Sequence, residues 1–217
     1  MSDVLSLFEN DRIKTLKKCF FDSIHDIKSE TCTIEIYFGE YRNLFTGKRI
    51  QIPSMNPVIY VDNEKNKLKF YPYIEKDKFD EVFQKINRDR DFFSIINQKM
   101  YIYTDFMYMQ EDEKNEGYMF KRKQISSFST FFPERDYDIR ISAIESLYFE
   151  EIKFNKYTKK YLVSLDQTIK RILIDEFKFD FITLRNSNKS DIYQIRISCK
   201  NKDFDEKKFF QIVFGKI

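Results

Sequence analysis

The sequence predicts an α+β fold, with an N-terminal helix and antiparallel strands followed by a C-terminal layer of repeat-like strand-helix units. Hydrophobic residues recur at spacings of three and four near the start of the chain, which indicates an amphipathic helix. Short runs then alternate between apolar and polar residues, which indicates strands. A phrase beginning at Ile144 recurs 25 residues later at Ile169, with apolar residues at matching positions. Such self-similarity is typical of repeating structural units.

The first helix is predicted over residues 11–28, and alternating runs predict four short strands after it. These runs are 33–38, 48–52, 58–61 and 67–71. The last two flank a polar loop and predict a hairpin. A second helix begins at Asp77 and ends near 87–91, because apolar residues fall on one side of it. Those residues are Phe79, Val82, Phe83 and Ile86.

A strand is predicted over 100–109, and Gly117–Ile125 is its hairpin partner. The Ser-rich segment 126–136, which contains Pro133, interrupts both periodicities and predicts a boundary. We therefore expect two closely packed parts, 1–125 and 138–217, or one single domain in which they combine.

After this boundary the predicted order is strand, helix, two strands, a short helix and a final strand. The strands are 144–149, 172–184, 192–199 and 211–214. Leu162, Leu165 and Ile169 predict a helix between the first two, and a short helix is predicted after Asp203.

Residues 140–200 resemble irregular leucine-rich repeats. The apolar slots are filled by Ile144, Leu147, Phe149, Ile152 and Phe154, and again by Ile169, Ile172, Ile174, Phe177 and Phe179. The position of the family's asparagine ladder holds Ile152 and Phe177 instead. The resemblance implies neighbouring strands with a shared core formed by Leu147, Phe149, Ile172, Ile174, Ile195 and Ile197. The alternative is an α+β sheet whose strands share only an alternation.

The repeat resemblance also implies an exposed concave sheet surface. Its residues are Tyr148, Glu150, Leu173, Asp175, Arg196 and Ser198. Surfaces of this kind bind proteins more often than they catalyse reactions. The sequence thus favours a non-catalytic protein-interaction or ribonucleoprotein-associated binding module. Its expected partner is another protein or a ribonucleoprotein surface, and the basic clusters and aromatic residues permit contact with RNA.

Few catalytic chemistries fit the composition. His25 is the only histidine, the three cysteines are scattered, and no glycine-rich phosphate-binding motif occurs, so neither a metal nor another cofactor is expected. Asp180 followed by Lys200 on the next strand resembles a magnesium-dependent nuclease site of the PD-(D/E)xK type, although Ser198 replaces a carboxylate. We keep this as the alternative function. On the preferred interpretation Asp180 and Lys200 share no cleft.

Charge and cysteine content favour a cytoplasmic protein. The 38 basic residues nearly balance the 35 acidic residues, which gives no strong indication of nucleic-acid binding. An odd number of widely spaced cysteines is typical of a reducing compartment. No apolar run approaches the length of a membrane-spanning helix, so no membrane association is expected.

Overall fold

Antiparallel strands dominate this computed structural model, which describes residues 32–52, 58–60, 67–88, 93–111, 117–131, 136–149, 161–186 and 189–200. The elements are β1 Cys32–Asn43, β2 Val58–Tyr60, β3 Leu68–Tyr71, α1 Lys76–Asn87, β4 Ser94–Ile102, β5 Met107–Glu111, β6 Gly117–Phe131, β7 Asp138–Phe149, β8 Val163–Ile174, β9 Phe177–Asn186 and β10 Lys189–Cys199. Within these ranges, no helix is long and apolar enough to span a membrane.

Eight of the strands close into a barrel. Their order around it is β1-β7-β6-β5-β4-β8-β9-β10, and β10 pairs back onto β1. Every pairing is antiparallel, and β2 and β3 are added to β6 and β1 outside this circle. Closing a sheet removes its edges and gives every strand one inward and one outward face.

The predicted α+β fold with a leucine-rich-repeat-like layer is therefore wrong. The described part of the first repeat phrase lies in β7, and the second phrase runs from β8 into β9, neither of which is a neighbour of β7 in the barrel. Residues 163–169, expected in a helix, lie in β8, so the strand-helix unit does not exist. The predicted strand 172–184 is divided between β8 and β9 by a turn at Asp175 and Glu176. Asp175 has a φ of 53°, a left-handed conformation that aspartate tolerates better than most residues.

The predictions for the other elements are partly confirmed. Helix α1 is confirmed with the four buried residues that the sequence indicated. The strand predicted over 100–109 is divided between β4 and β5, and only β5 forms the expected hairpin with β6. The hairpin between 58–61 and 67–71 is wrong, because β2 pairs with β6 and β3 pairs with β1. Of the boundary segment predicted over 126–136, residues 126–131 lie in β6 and residues 132–135 lie outside the described residues. The first helix, the helix after Asp203 and the strand 211–214 lie outside the described residues.

Helix α1 covers the outer face of the barrel at β9 and β10. Alternation along β9 turns Phe177, Phe179 and Phe181 outward into the main hydrophobic core. The Phe181 ring packs edge-on against Phe79 at 5.6 Å and Phe83 at 5.0 Å. This packing fixes the orientation of β9, and with it the side chains that β9 turns inward.

The core predicted from the repeats is partly wrong. Ile172, Ile174, Ile195 and Ile197 are buried together in the cluster under α1. Leu147 is 47% exposed, so it does not belong to that cluster. The side chain of Phe149 lies outside the description.

We expect Phe181→Ala to lower the free energy of unfolding by about 3 to 5 kcal/mol, because it removes a fully buried ring that contacts two helix residues. Urea denaturation measures the change. Phe45→Ala is the matched control, since Phe45 is 70% exposed and its removal should cost less than about 1 kcal/mol. Equal losses in the two variants would contradict the packing of α1 on β9.

Candidate functional site: a cationic tunnel

The inner face of the barrel surrounds a cavity of about 480 Å³. On β1 and β10, alternation directs polar side chains into it, while their apolar neighbours face the outer core. On β1, Glu35 and Tyr37 line the cavity, whereas Ile34, Ile36 and Phe38 belong to the core outside. These two strands therefore have a polar inner face and an apolar outer face.

Positive charge predominates among the described residues that line this tunnel. Five lining side chains are basic and two are acidic. The basic residues are Arg122, Arg171, Lys178, Arg196 and Lys200, and the acidic residues are Glu35 and Asp180. An enclosed surface of one predominant sign concentrates the electric field and attracts ions of opposite charge.

Asp180 forms the centre of a buried ion-pair network. Its side chain is 1% exposed and accepts two hydrogen bonds from Arg171, from Nε at 2.6 Å and from Nη2 at 3.1 Å. Arg196 Nη2 donates a third at 2.6 Å. The two arginines lie on β8 and β10, which flank β9, so the network joins three adjacent strands.

Glu35 extends the network across the barrel closure. It accepts hydrogen bonds from the Tyr37 hydroxyl at 2.7 Å and from Arg122 Nη2, and Arg196 Nη1 lies 3.7 Å from its Oε1. Arg196 therefore bridges both acidic residues of the tunnel. Its Nε is buried and has no hydrogen-bond partner within the part of the chain that the structure describes, which is unusual for a buried donor.

The pKa values of the tunnel groups follow from this arrangement. Burial alone would raise the pKa of Asp180, but the hydrogen bonds and charges of Arg171 and Arg196 hold it below its ordinary value of 3.8. The pKa of Lys178 is lowered from 10.5, first by burial and then by the positive charges of Arg171 and Lys200. The cations thus repel one another, and an anion bound among them would relieve that repulsion.

The acidic residues do not suit a divalent metal ion. Magnesium is held by free carboxylate oxygens together with phosphate and water. Both oxygens of Asp180 accept hydrogen bonds from arginine. Glu35 Oε2 accepts hydrogen bonds from Tyr37 and Arg122, and Arg196 lies in ion-pair range of Oε1. Among the residues described, no group of three or more His, Cys, Asp or Glu side chains could hold a metal.

The residues predicted as a concave binding surface do not form one. Tyr148, Arg196 and Ser198 line the tunnel, because the sheet curves around them. Leu173 and Asp175 are exposed at the β8–β9 turn, and Glu150 lies outside the described residues. Tyr148, Arg196 and Ser198 do lie on the face opposite the outer core, but that face lines the tunnel and is not a concave outer surface.

Asp180 and Lys200, the candidates for a nuclease site, both line the tunnel. The expectation that they share no cleft is therefore wrong. Asp180 is occupied by two arginines, so it does not form the metal site that the PD-(D/E)xK resemblance implied.

Sequence reasoning missed Glu35, Arg122, Arg171 and Lys178 as site residues. Glu35 and Lys178 stand between apolar neighbours, and such a pattern is ordinarily that of a sheet with one face in water. Arg122 and Arg171 belong to the basic clusters Lys121-Arg122-Lys123 and Lys170-Arg171, which are ordinarily solvated. A usable signal is present in β9 and β10, where Lys178-x-Asp180 and Arg196-x-Ser198-x-Lys200 place charges at alternate positions. Recognising it requires knowing that the sheet closes.

Comparison with known proteins supports the barrel. No protein-family model matches the sequence, and no curated protein sequence matches it. The fold resembles the S. pombe Pct1 RNA triphosphatase in complex with the Spt5 CTD, with a TM-score of 0.72 at 15% identity over 88% of this chain and 79% of that chain. A structure of Pct1 RNA triphosphatase gives a TM-score of 0.71 with the same identity and coverage.

This likeness replaces the leucine-rich-repeat resemblance, which is wrong. The functions inferred from the sequence are overturned with it. Neither the non-catalytic protein-interaction module nor the PD-(D/E)xK nuclease agrees with a closed barrel of the RNA triphosphatase fold.

We expect Asp180→Asn to lower the free energy of unfolding at pH 7 by about 3 kcal/mol, because it leaves two tunnel arginines without their anionic partner. The pKa of Asp180 is lower folded than unfolded, so its stabilisation is complete above the ordinary aspartate value and disappears as the pH falls through the folded value. Denaturation of both proteins between pH 7 and 3 measures this, and the difference between them should shrink at the acidic end.

Asp191→Asn is the matched control for this change. Asp191 pairs at 3.3 Å with Arg185, whose side chain is 63% exposed, so its loss should cost less than about 1 kcal/mol at any pH. A difference between wild type and Asp180→Asn that stays constant with pH would contradict the ion-pair network.

Proposed function

We propose that the tunnel binds the triphosphate end of an RNA or a nucleotide and that the protein is of the phosphohydrolase type. The observation that carries this proposal is the excess of inward-facing cations in a closed barrel. The likeness to an RNA triphosphatase supports it, because that protein has the same fold.

The tunnel cations match the chemistry of a phosphate chain. A triphosphate is slender, unbranched and strongly anionic, and arginine presents planar N–H donors that fit phosphate oxygens. Arg171 uses only Nε and Nη2 for Asp180, and Arg196 retains a buried Nε without a partner in the described structure. These donors remain for a ligand after the internal ion pairs are made.

The internal carboxylates hold the arginines in position. Arg171 and Arg196 are fixed by a residue that is 1% exposed, so their guanidinium groups need little reorganisation when an anion enters. Asp180 also offsets part of the positive charge while the tunnel is empty. The same pairing that stabilises the barrel thus preorganises it for a polyanion.

A second candidate is a barrel that binds triphosphate without hydrolysing it. The engagement of both tunnel carboxylates by arginine favours this candidate, because it leaves no open metal position among the described residues. Phosphate release from triphosphate-ended RNA, measured with magnesium or manganese, separates the candidates. Release at a rate above that of the Asp180→Asn variant supports the phosphohydrolase, and binding without release supports the second candidate.

We expect Lys178→Gln to weaken the binding of inorganic tripolyphosphate about tenfold, because a hydrogen bond to a charged group contributes about 1.5 kcal/mol or more. Lys178 lines the tunnel. Calorimetric titration of the wild type and the variant measures the change in the dissociation constant. Chelators should not weaken wild-type binding, since the described carboxylates that line the tunnel are paired with arginine.

Lys85→Gln provides the matched control for that titration. Lys85 lies on helix α1, 54% exposed and paired with Glu81 at 2.9 Å, away from the tunnel. Its substitution should leave the dissociation constant unchanged. Equal weakening in both variants, or no binding to the wild type at low salt, would contradict a tunnel site.

Binding should also weaken as the pH rises through the folded pKa of Lys178. Since that pKa is lowered, the loss of affinity for tripolyphosphate begins below the pH at which an ordinary lysine deprotonates. Lys178→Arg should shift the loss to higher pH, because arginine stays protonated. Titrations between pH 7 and 10 measure this, and identical profiles for the two proteins would exclude Lys178 from the site.

The predicted cytoplasmic location and RNA contact stay predictions.

A further inference from the structure

The tunnel wall is not uniform around its circumference. Most of the apolar and aromatic lining lies on β4 to β7, namely Met100, Ile102, Met107, Met109, Tyr118, Phe120 and Tyr148. The separation from the charges is not complete, because Arg122 lies on β6 and the apolar Leu165, Ile182 and Leu184 lie on β8 and β9. A pure phosphate chain has no use for such a surface, because apolar groups neither hydrogen-bond nor neutralise phosphate. The wall therefore suits a ligand with an aromatic or apolar portion as well as an anionic one.

Three rings of this wall form an aromatic triad, Tyr118, Phe120 and Tyr148. Their centroids lie 5.7 Å apart for Tyr118 and Phe120, 6.1 Å for Tyr118 and Tyr148, and 6.2 Å for Phe120 and Tyr148. Phe120 and Tyr148 face each other in register on β6 and β7. Tyr148 is nevertheless 69% exposed, so its ring does not serve as core.

The aromatic triad stands next to the cations. Arg122 follows Phe120 by two positions on the same face of β6, a spacing of about 7 Å along a strand. Tyr118 lies close enough to Arg196 and Arg171 for their charges to act on its hydroxyl. Two rings of the aromatic triad and an arginine of the tunnel therefore share one face of β6.

We propose that the aromatic triad is a nucleobase subsite, so that the ligand of the tunnel is a nucleoside triphosphate or the first nucleotide of an RNA and not a bare phosphate chain. This inference rests on the proposed triphosphate binding. Bases stack on aromatic side chains without strong sequence preference, because every base has a π-face. The subsite therefore recognises the presence of a base and tolerates its identity.

Calorimetric titration of three probes tests the subsite. The probes are adenosine triphosphate, ribose 5-triphosphate, which lacks the base, and inorganic tripolyphosphate. We expect adenosine triphosphate to bind about tenfold more tightly than ribose 5-triphosphate. Tyr148→Ala should remove this difference while leaving the affinity for tripolyphosphate unchanged, and Tyr148→Phe should preserve it.

Tyr73→Ala is the matched control, because Tyr73 is 40% exposed and does not line the tunnel. Equal binding of adenosine triphosphate and ribose 5-triphosphate would overturn the subsite and leave the proposed function standing. Failure of all three probes to bind would overturn both. If Tyr148→Ala lowers the melting temperature, the titrations are repeated with Tyr118→Leu. An unchanged preference for the base in Tyr118→Leu would equally overturn the subsite.

Discussion

The pairing of β1 with β10 is the interaction on which this structure depends. It joins the first described strand to the last through register pairs from Ile34 with Cys199 to Tyr37 with Arg196. Without it the eight strands would form an open curved sheet, and the charged inner face would be in water. With it, Glu35 and Arg196 are brought within ion-pair reach across the seam. Closure thus turns a polar sheet surface into an enclosed site, and the ion pairs of that site strengthen the closure.

The interior charges are expensive to bury and only partly neutralised. The free-energy cost of removing charged groups from water is offset when they are paired in good geometry, as Arg171 and Arg196 are around Asp180. Pairing does not extend to every cation, and Lys178 experiences the repulsion of its neighbours. Selection for stability alone would favour apolar residues or balanced charge in such a position. This excess of positive charge is the reason for proposing a ligand that supplies the missing negative charge.

Local elements could be predicted from the sequence better than their assembly. The periodicity of α1 predicted its four buried residues, and alternation predicted strands at the sites of β1, β7 and β10. The error at 162–169 has a local cause, because apolar residues three and four apart satisfy the helical pattern although the segment extends as β8. The site could not be predicted, because it depends on pairing between residues more than 150 positions apart in the chain. Tyr148, Arg196 and Ser198 were singled out for facing away from the core, and only closure shows what they face instead.

A closed barrel also determines which part of a polymer can reach its interior. Hydrogen-bonded strands surround the described cavity on every side, so there is no lateral slot through which the middle of a nucleic acid could slip. A polymer that reaches the interior therefore enters through an end of the barrel. The triphosphate proposed as the ligand is a chain terminus, whereas internal phosphodiesters and circular molecules present none. On that proposal the closed barrel distinguishes ends from interiors, and the side chains within it need only distinguish one kind of end from another.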